Sequence, residues 1–145
     1  MKPMHMEIIT DPLGGIDLRS DLNVNLTRIQ ALGLSEISLF FGFSWGNHIY
    51  EEDWREIPAS PARALELVKK AEKKGFGELG DDNLYLFVRE YNLRLLYSHE
   101  SDIHLSFAAP NRLVHDILGR WRDQQWLCYN QSKVLAKLNS KGRMI

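Results

Sequence analysis

The stretch that decides the fold is Leu84 to Ala108, LYLFVREYNLRLLYSHESDIHLSFA. Within it, apolar and polar side chains alternate, and a period of two is typical of strands that bury one face. Asn92 tolerates the left-handed backbone region, and Ser101-Asp102 also favours a turn, so the chain can reverse at both positions. The pattern therefore predicts consecutive antiparallel strands, which are Leu84 to Glu90, Leu93 to His99 and Ile103 to Ala108.

A helix is predicted directly after this stretch, because Asn111 can cap it and apolar residues then recur at helical spacing. We expect this helix to pack on the apolar face of the strands. Its apolar stripe consists of Leu113, Val114, Ile117, Leu118 and Trp121.

The rest of the chain predicts further elements of both kinds. They are a strand over Met4 to Thr10, a helix from Asp21 to Gly33, a strand over Glu36 to Ser44, a helix from Ser60 and Pro61 to Gly75, and a helix over Gln131 to Asn139. We therefore expect one α+β domain over residues 1–145, with a mainly antiparallel sheet of about five strands and helices on one face.

The composition and charge of the chain limit the classes of protein to which it can belong. The 145 residues include 44% hydrophobic and 26% charged residues, which is typical of a globular protein. The net charge of −1 argues against a nucleic-acid binder, although the chain from Arg112 onward has a surplus of basic residues. The single Cys128, and the absence of an apolar run long enough for a signal peptide or a membrane span, predict a cytoplasmic protein without membrane association.

Acidic and aromatic residues are interleaved between Trp45 and Glu56. Four acids and one base lie between Tyr50 and Glu56, a net charge of −3. Aromatic side chains supply contact area and acids steer a basic partner, so this pattern predicts a protein-binding surface. The alternative is a solvated acidic segment in which Trp54 covers the edge of the core. The predicted partner-binding residues are Trp45, Tyr50, Glu51, Glu52, Asp53 and Trp54.

These observations favour a non-catalytic binding domain that docks a basic protein and needs no cofactor. A small inhibitor, such as the immunity protein of a bacterial nuclease toxin, illustrates the class.

An enzyme is the alternative function, and two motifs bear on it. His99, Glu100, Asp102 and His104 are suited to metal binding or acid–base chemistry, but alternation along a strand would point them to opposite sides, and a self-neutralising hairpin end is the simpler interpretation. Separately, the G-x-S-x-G pattern centred on Ser44 resembles the nucleophile elbow of the α/β-hydrolase family over five residues. That family builds several strands before its elbow, whereas only two predicted strands are available here.

Overall fold

The structure of the chain is a computed structural model that describes Met4 and residues 6–50, 54–130 and 133–135. The strands are β1 (Met6–Thr10), β2 (Ile37–Phe41), β3 (Ile57–Ala59), β4 (Leu84–Val88), β5 (Leu93–Tyr97), β6 (Ile103–Phe107), β7 (Cys128–Asn130) and β8 (Lys133–Leu135). The helices are α1 (Gly15–Ala31), α2 (Phe43–Ile49), α3 (Pro61–Lys73) and α4 (Arg112–Asp123), with a single 3-10 turn over Arg89–Tyr91.

All of these strands form one antiparallel sheet in the order β3-β2-β4-β5-β6-β1-β7-β8. The predicted α+β class and the central β4-β5-β6 meander are confirmed. The described residues contain eight strands rather than about five. The strands that were not predicted, β3, β7 and β8, have three residues each, too few for an alternating pattern to stand out.

The helices lie on one side of the sheet and bury its inner face. The predicted stripe of α4 is buried in full, and the Oδ1 atom of Asn111 accepts a hydrogen bond of 3.0 Å from the backbone N–H of Val114, as expected of a capping residue. The helix α3 is capped in the same way, because the hydroxyl oxygen of Ser60 accepts from the N–H of Arg63 at 3.1 Å.

Three predictions differ from the structure by more than two residues or in the type of element. The helix α1 begins at Gly15 rather than Asp21, and the additional turn buries Leu18. The strand β2 ends at Phe41 instead of Ser44, because the chain turns at Gly42 into α2, a helix that the sequence pattern does not predict. Residues 133–135 form a strand instead of part of a helix, because they pair with β7. The remainder of that predicted helix lies outside the described residues.

A buried polar network joins α1, β5 and α4. The carboxylate of Asp21 accepts hydrogen bonds of 2.9 Å from the hydroxyl of Tyr97, the indole N–H of Trp121 and the amide of Asn25, and Arg120 lies 3.3 Å away. Burial raises the pKa of Asp21, while Arg120 and these donors act in the opposite direction. The network fixes the two helices over the middle of the sheet.

In the part of the chain that the structure describes, no helix has both the length and the apolar character needed to cross a bilayer.

Candidate functional site

The outer face of the sheet is the face opposite the helices. Along β2, β4 and β5 the buried residues alternate with partly exposed ones, and the partly exposed side chains form this outer face. The strand register aligns them in two rows. One row is Ser38, Phe87, Arg94, Ser106 and Glu7. The other row is Phe40, Tyr85, Leu96, His104, Ile9 and Tyr129.

Five rings on this side of the molecule are in continuous contact, and we call them the aromatic face: Trp54, Tyr50, Phe40, Tyr85 and Phe87. Ring centroids lie 5.4 Å apart for Trp54 and Tyr50, 5.7 Å for Tyr50 and Phe40, and 6.1 Å for Trp54 and Phe40. The contact continues across the sheet from Phe40 to Tyr85 at 5.9 Å, and then along β4 from Tyr85 to Phe87 at 6.2 Å. These spacings are those of favourable aromatic pairs.

Tyr50 and Trp54 reach this face from the loop between α2 and β3. Tyr50 is 6% exposed, and its hydroxyl oxygen accepts a hydrogen bond of 2.9 Å from the N–H of Phe41. Burial raises the pKa of Tyr50. Trp54 is 44% exposed and lies against Gly46, where a Cβ atom would be 2.8 Å from the Trp54 ring. Tyr50 and Trp54 therefore extend the sheet surface with one anchored and one exposed ring.

Two arginines lie over the other half of the aromatic face. The guanidinium carbon of Arg89 is 5.4 Å from the ring centroid of Phe87, and its NH2 group is paired with Glu56. The guanidinium carbon of Arg94 is 5.7 Å from the ring centroid of Tyr85, and the Arg94 NH2 group donates to the Ser106 hydroxyl at 3.3 Å. Both arrangements are cation–π contacts.

The predicted partner-binding residues are placed differently from one another. Trp45 is fully buried, edge-on to Phe41 with centroids 5.0 Å apart, so in this fold its ring belongs to the core. Tyr50 is nearly buried and supports the exposed ring of Trp54. Glu51, Glu52 and Asp53 lie outside the described residues. The binding role of the whole set stays a prediction.

The residues of the alternative enzyme site separate into two pairs. The Nε2 atom of His104 lies 2.9 Å from Oδ1 of Asp102, and its Nδ1 atom lies 3.8 Å from Glu7. His99 instead contacts Oδ1 of Asn83 at 3.1 Å and lies 3.8 Å from the exposed Glu100. Among the described residues, no three His, Cys, Asp or Glu side chains are grouped so as to hold a metal ion.

Ser44 follows a strand-to-helix turn, the context in which a nucleophile elbow occurs. Its hydroxyl, however, is hydrogen bonded to the carboxylate of Asp82, which also accepts from the Ser44 N–H at 3.1 Å and, through its other oxygen, from the Glu78 N–H at 3.1 Å. Within the described residues no histidine is hydrogen bonded to Ser44. The arrangement joins the start of α2 to the loop before β4, and the hydroxyl meets a carboxylate there instead of the imidazole that a nucleophile elbow uses.

Sequence reasoning did not identify Phe40, Tyr85 and Phe87 as functional residues. The available signal was that aromatic side chains occupy the strand positions where a sheet with one exposed face usually carries polar residues. Phe40 and Tyr85 form a cross-strand pair, which cannot be predicted from the sequence unless the strand order is known.

No family model matches this chain, and neither a curated protein nor a solved structure matches it.

Proposed function

We propose that this chain is a non-catalytic protein-binding domain that docks a basic protein through the aromatic face. The observation that supports this most directly is the continuous contact of five rings from the exposed Trp54 to Phe87, on the side of the sheet that the helices leave open. Folding alone does not require aromatic side chains at these outer positions, and aromatic side chains are enriched in protein interfaces.

The charge next to the aromatic face favours a basic partner. Glu51, Glu52 and Asp53 stand between Tyr50 and Trp54 in the sequence, so three acidic residues separate the two residues whose rings form this end of the aromatic face. Glu56 adds a fourth, although Arg89 is paired with it. Acids around an apolar patch accelerate the approach of a positive protein and disfavour a negative one.

A small cytoplasmic inhibitor of a basic enzyme combines these properties, and a bacterial immunity protein belongs to that class. We propose this class because acidic residues next to the exposed Trp54 in the sequence suit fast capture of a basic enzyme before it reaches its target.

Site-specific photo-crosslinking in cells of the source organism tests the proposal. The photoreactive residue p-benzoylphenylalanine replaces Phe87 on the aromatic face in one variant and Lys69 on the exposed side of α3 in the control. We expect a protein of net positive charge to be crosslinked at position 87 and not at position 69. Crosslinking only at position 69, or an acidic protein at position 87, would contradict the proposal.

Affinity measurements with the purified, crosslinked protein complete the test. Trp54→Ala should weaken binding at least tenfold, because tryptophan is among the residue types most enriched in binding hot spots. Ile16→Ala is the matched control, since Ile16 is 85% exposed on α1, away from the aromatic face. Equal affinities for the wild type and Trp54→Ala would show that Trp54 is not part of the interface.

A further inference from the structure

We infer that the partner inserts an arginine side chain at the Trp54 end of the aromatic face, with its guanidinium group stacked on the Trp54 ring. This inference rests on the proposed function and specifies the chemistry of the group that is recognised. It follows from the way in which the same face already holds two of the chain's own arginines.

The two halves of the aromatic face differ in what lies over their rings. Phe87 and Tyr85 are each covered by a guanidinium group, at 5.4 Å and 5.7 Å from the ring centroids. Among the described residues, no Lys or Arg side chain lies over Trp54 or Phe40 in this way. Trp54 presents the largest ring of the face, and 44% of its surface is exposed. Trp is also the side chain that attracts a cation most strongly.

Arg94 shows that stacking on this face is compatible with few hydrogen bonds. The Nε atom of Arg94 is buried and makes no hydrogen bond within the described residues, although its NH2 group contacts Ser106. Glu7 is the acid nearest to that guanidinium, at 3.9 Å. The ring of Tyr85 is therefore a main neighbour of this cation. A guanidinium group tolerates this environment better than an ammonium group, because it is planar and more weakly hydrated.

Charge at the Trp54 end favours a cation from outside. The sequence from Tyr50 to Glu56 carries four acids and one base, whereas each of the two occupied rings already has a positive group over it. An incoming arginine would therefore meet an uncovered ring at Trp54, beside a stretch whose net charge by sequence is −3 even with Arg55, the base that acts on Tyr50. Over Tyr85 it would meet repulsion from Arg94. The site that is complementary to an arginine is the Trp54 end.

Three peptides of identical length test the inference with the full chain. They are Gly-Arg-Gly-Arg-Gly-Arg-Gly and its counterparts with lysine or with citrulline, the neutral isostere of arginine. Binding is followed by nuclear magnetic resonance of the four Trp indole N–H groups, and Trp54→Phe identifies the Trp54 signal. We expect the arginine peptide to shift the Trp54 signal and to leave the signals of the buried Trp45 and Trp121 unchanged.

The expected affinities separate stacking from simple charge attraction. The arginine peptide should bind about threefold or more tightly than the lysine peptide, and the citrulline peptide should bind more weakly than both. Trp54→Leu, which keeps an apolar side chain and removes the ring, should weaken arginine binding by about threefold to thirtyfold, whereas Trp54→Phe should retain part of it. A thermal melt confirms that each variant is folded, and Ile16→Ala again serves as the control.

Several results would overturn the inference. These are equal affinities for the arginine and lysine peptides, unchanged binding by Trp54→Leu, shifts confined to other residues, or the absence of binding by any peptide. Self-association of the chain through Trp54, or preferential binding of single-stranded DNA there, would also overturn it, because each assigns the ring to another occupant. The crosslinking at position 87 is independent of the peptides, so it shows whether the proposed function stands when the arginine inference fails.

Discussion

The hydroxyl oxygen of Tyr50 accepts a hydrogen bond of 2.9 Å from the backbone N–H of Phe41, at the end of β2. The neighbouring strand β3 pairs with β2 only from Ile37 to Leu39, so it cannot satisfy that N–H group. A side chain from the loop replaces the missing strand partner, and the same side chain positions Trp54. Strand pairing and the aromatic face are thus connected through one residue.

Replacing Tyr50 with Phe should destabilise the fold by about 1–3 kcal/mol, because the buried N–H of Phe41 would lose its acceptor. Denaturant unfolding measures the change. Tyr85→Phe is the control, since its hydroxyl lies on the partly exposed outer face, and its cost should stay within about 0.5 kcal/mol. A similar, small effect of both substitutions would show that the hydrogen bond contributes little.

Reversing Glu51, Glu52 and Asp53 to Lys should slow association with the crosslinked partner. Exposed charges act at long range and are screened by salt, so the effect should be largest at low ionic strength and should fade as salt is added. Stopped-flow kinetics over a salt series measures it, with dissociation nearly unchanged. Unaltered association by the triple variant would shift the search to the basic residues after Arg112.

Leu118→Ala should destabilise the protein by about 2–5 kcal/mol, the usual range for truncating a buried leucine. Leu118 is 3% exposed and belongs to the stripe by which α4 covers the sheet. Thermal or urea unfolding measures the loss, and Ile16→Ala should have almost no effect. A loss below about 0.5 kcal/mol for Leu118→Ala would contradict the packing of α4.

The Phe43→Gly variant should be more stable than the Phe43→Ala variant by about 1 kcal/mol. This order is the reverse of the usual helix preference, which favours alanine. Phe43 has a φ of +51°, in the left-handed region that glycine adopts without strain and that bulky residues rarely adopt, and it is 50% exposed. Comparing the two variants removes the contribution of the ring contact with His99, which both of them lose. A more stable Ala variant would show that the backbone at Phe43 is not strained.

The thiol of Cys128 should react slowly with a disulfide reagent in the folded protein. Burial, together with the negative charge of Asp11, raises its pKa to about 11, so the thiolate is scarce at pH 8. Unfolded chains, with an ordinary thiol pKa of about 8.5, should react far faster.

The raised pKa of Cys128 also makes stability depend on pH. Because the folded pKa is the higher one, the contribution of this thiol to the free energy of unfolding is complete below about pH 8.5 and declines as the pH rises toward 11. Cys128→Ser should remove that decline in pH-dependent unfolding, whereas equally fast labelling of folded and unfolded protein would contradict the raised pKa.

The alternating pattern of Leu84 to Ala108 and the stripe on α4 were sufficient to predict the central meander and the helix that covers it. Both depend on local periodicity, and their buried positions are those that the pattern indicates. The end of β2 was not predictable in this way, because Phe43 and Trp45 continue the apolar character of the strand. At the start of α2 the Ser44 N–H donates to Asp82, which lies 38 residues farther along the chain. A local sequence pattern does not indicate such a contact.

The sequence by itself determined the α+β class, the inner faces of the longer elements and the acidic, aromatic character of Tyr50 to Glu56, since periodicity and charge are local properties. Only the tertiary structure decided that Trp45 is core, that Trp54 is exposed and that Phe40, Tyr85 and Phe87 continue its surface. These relations depend on strand order and register, which are set by contacts between residues far apart in the chain.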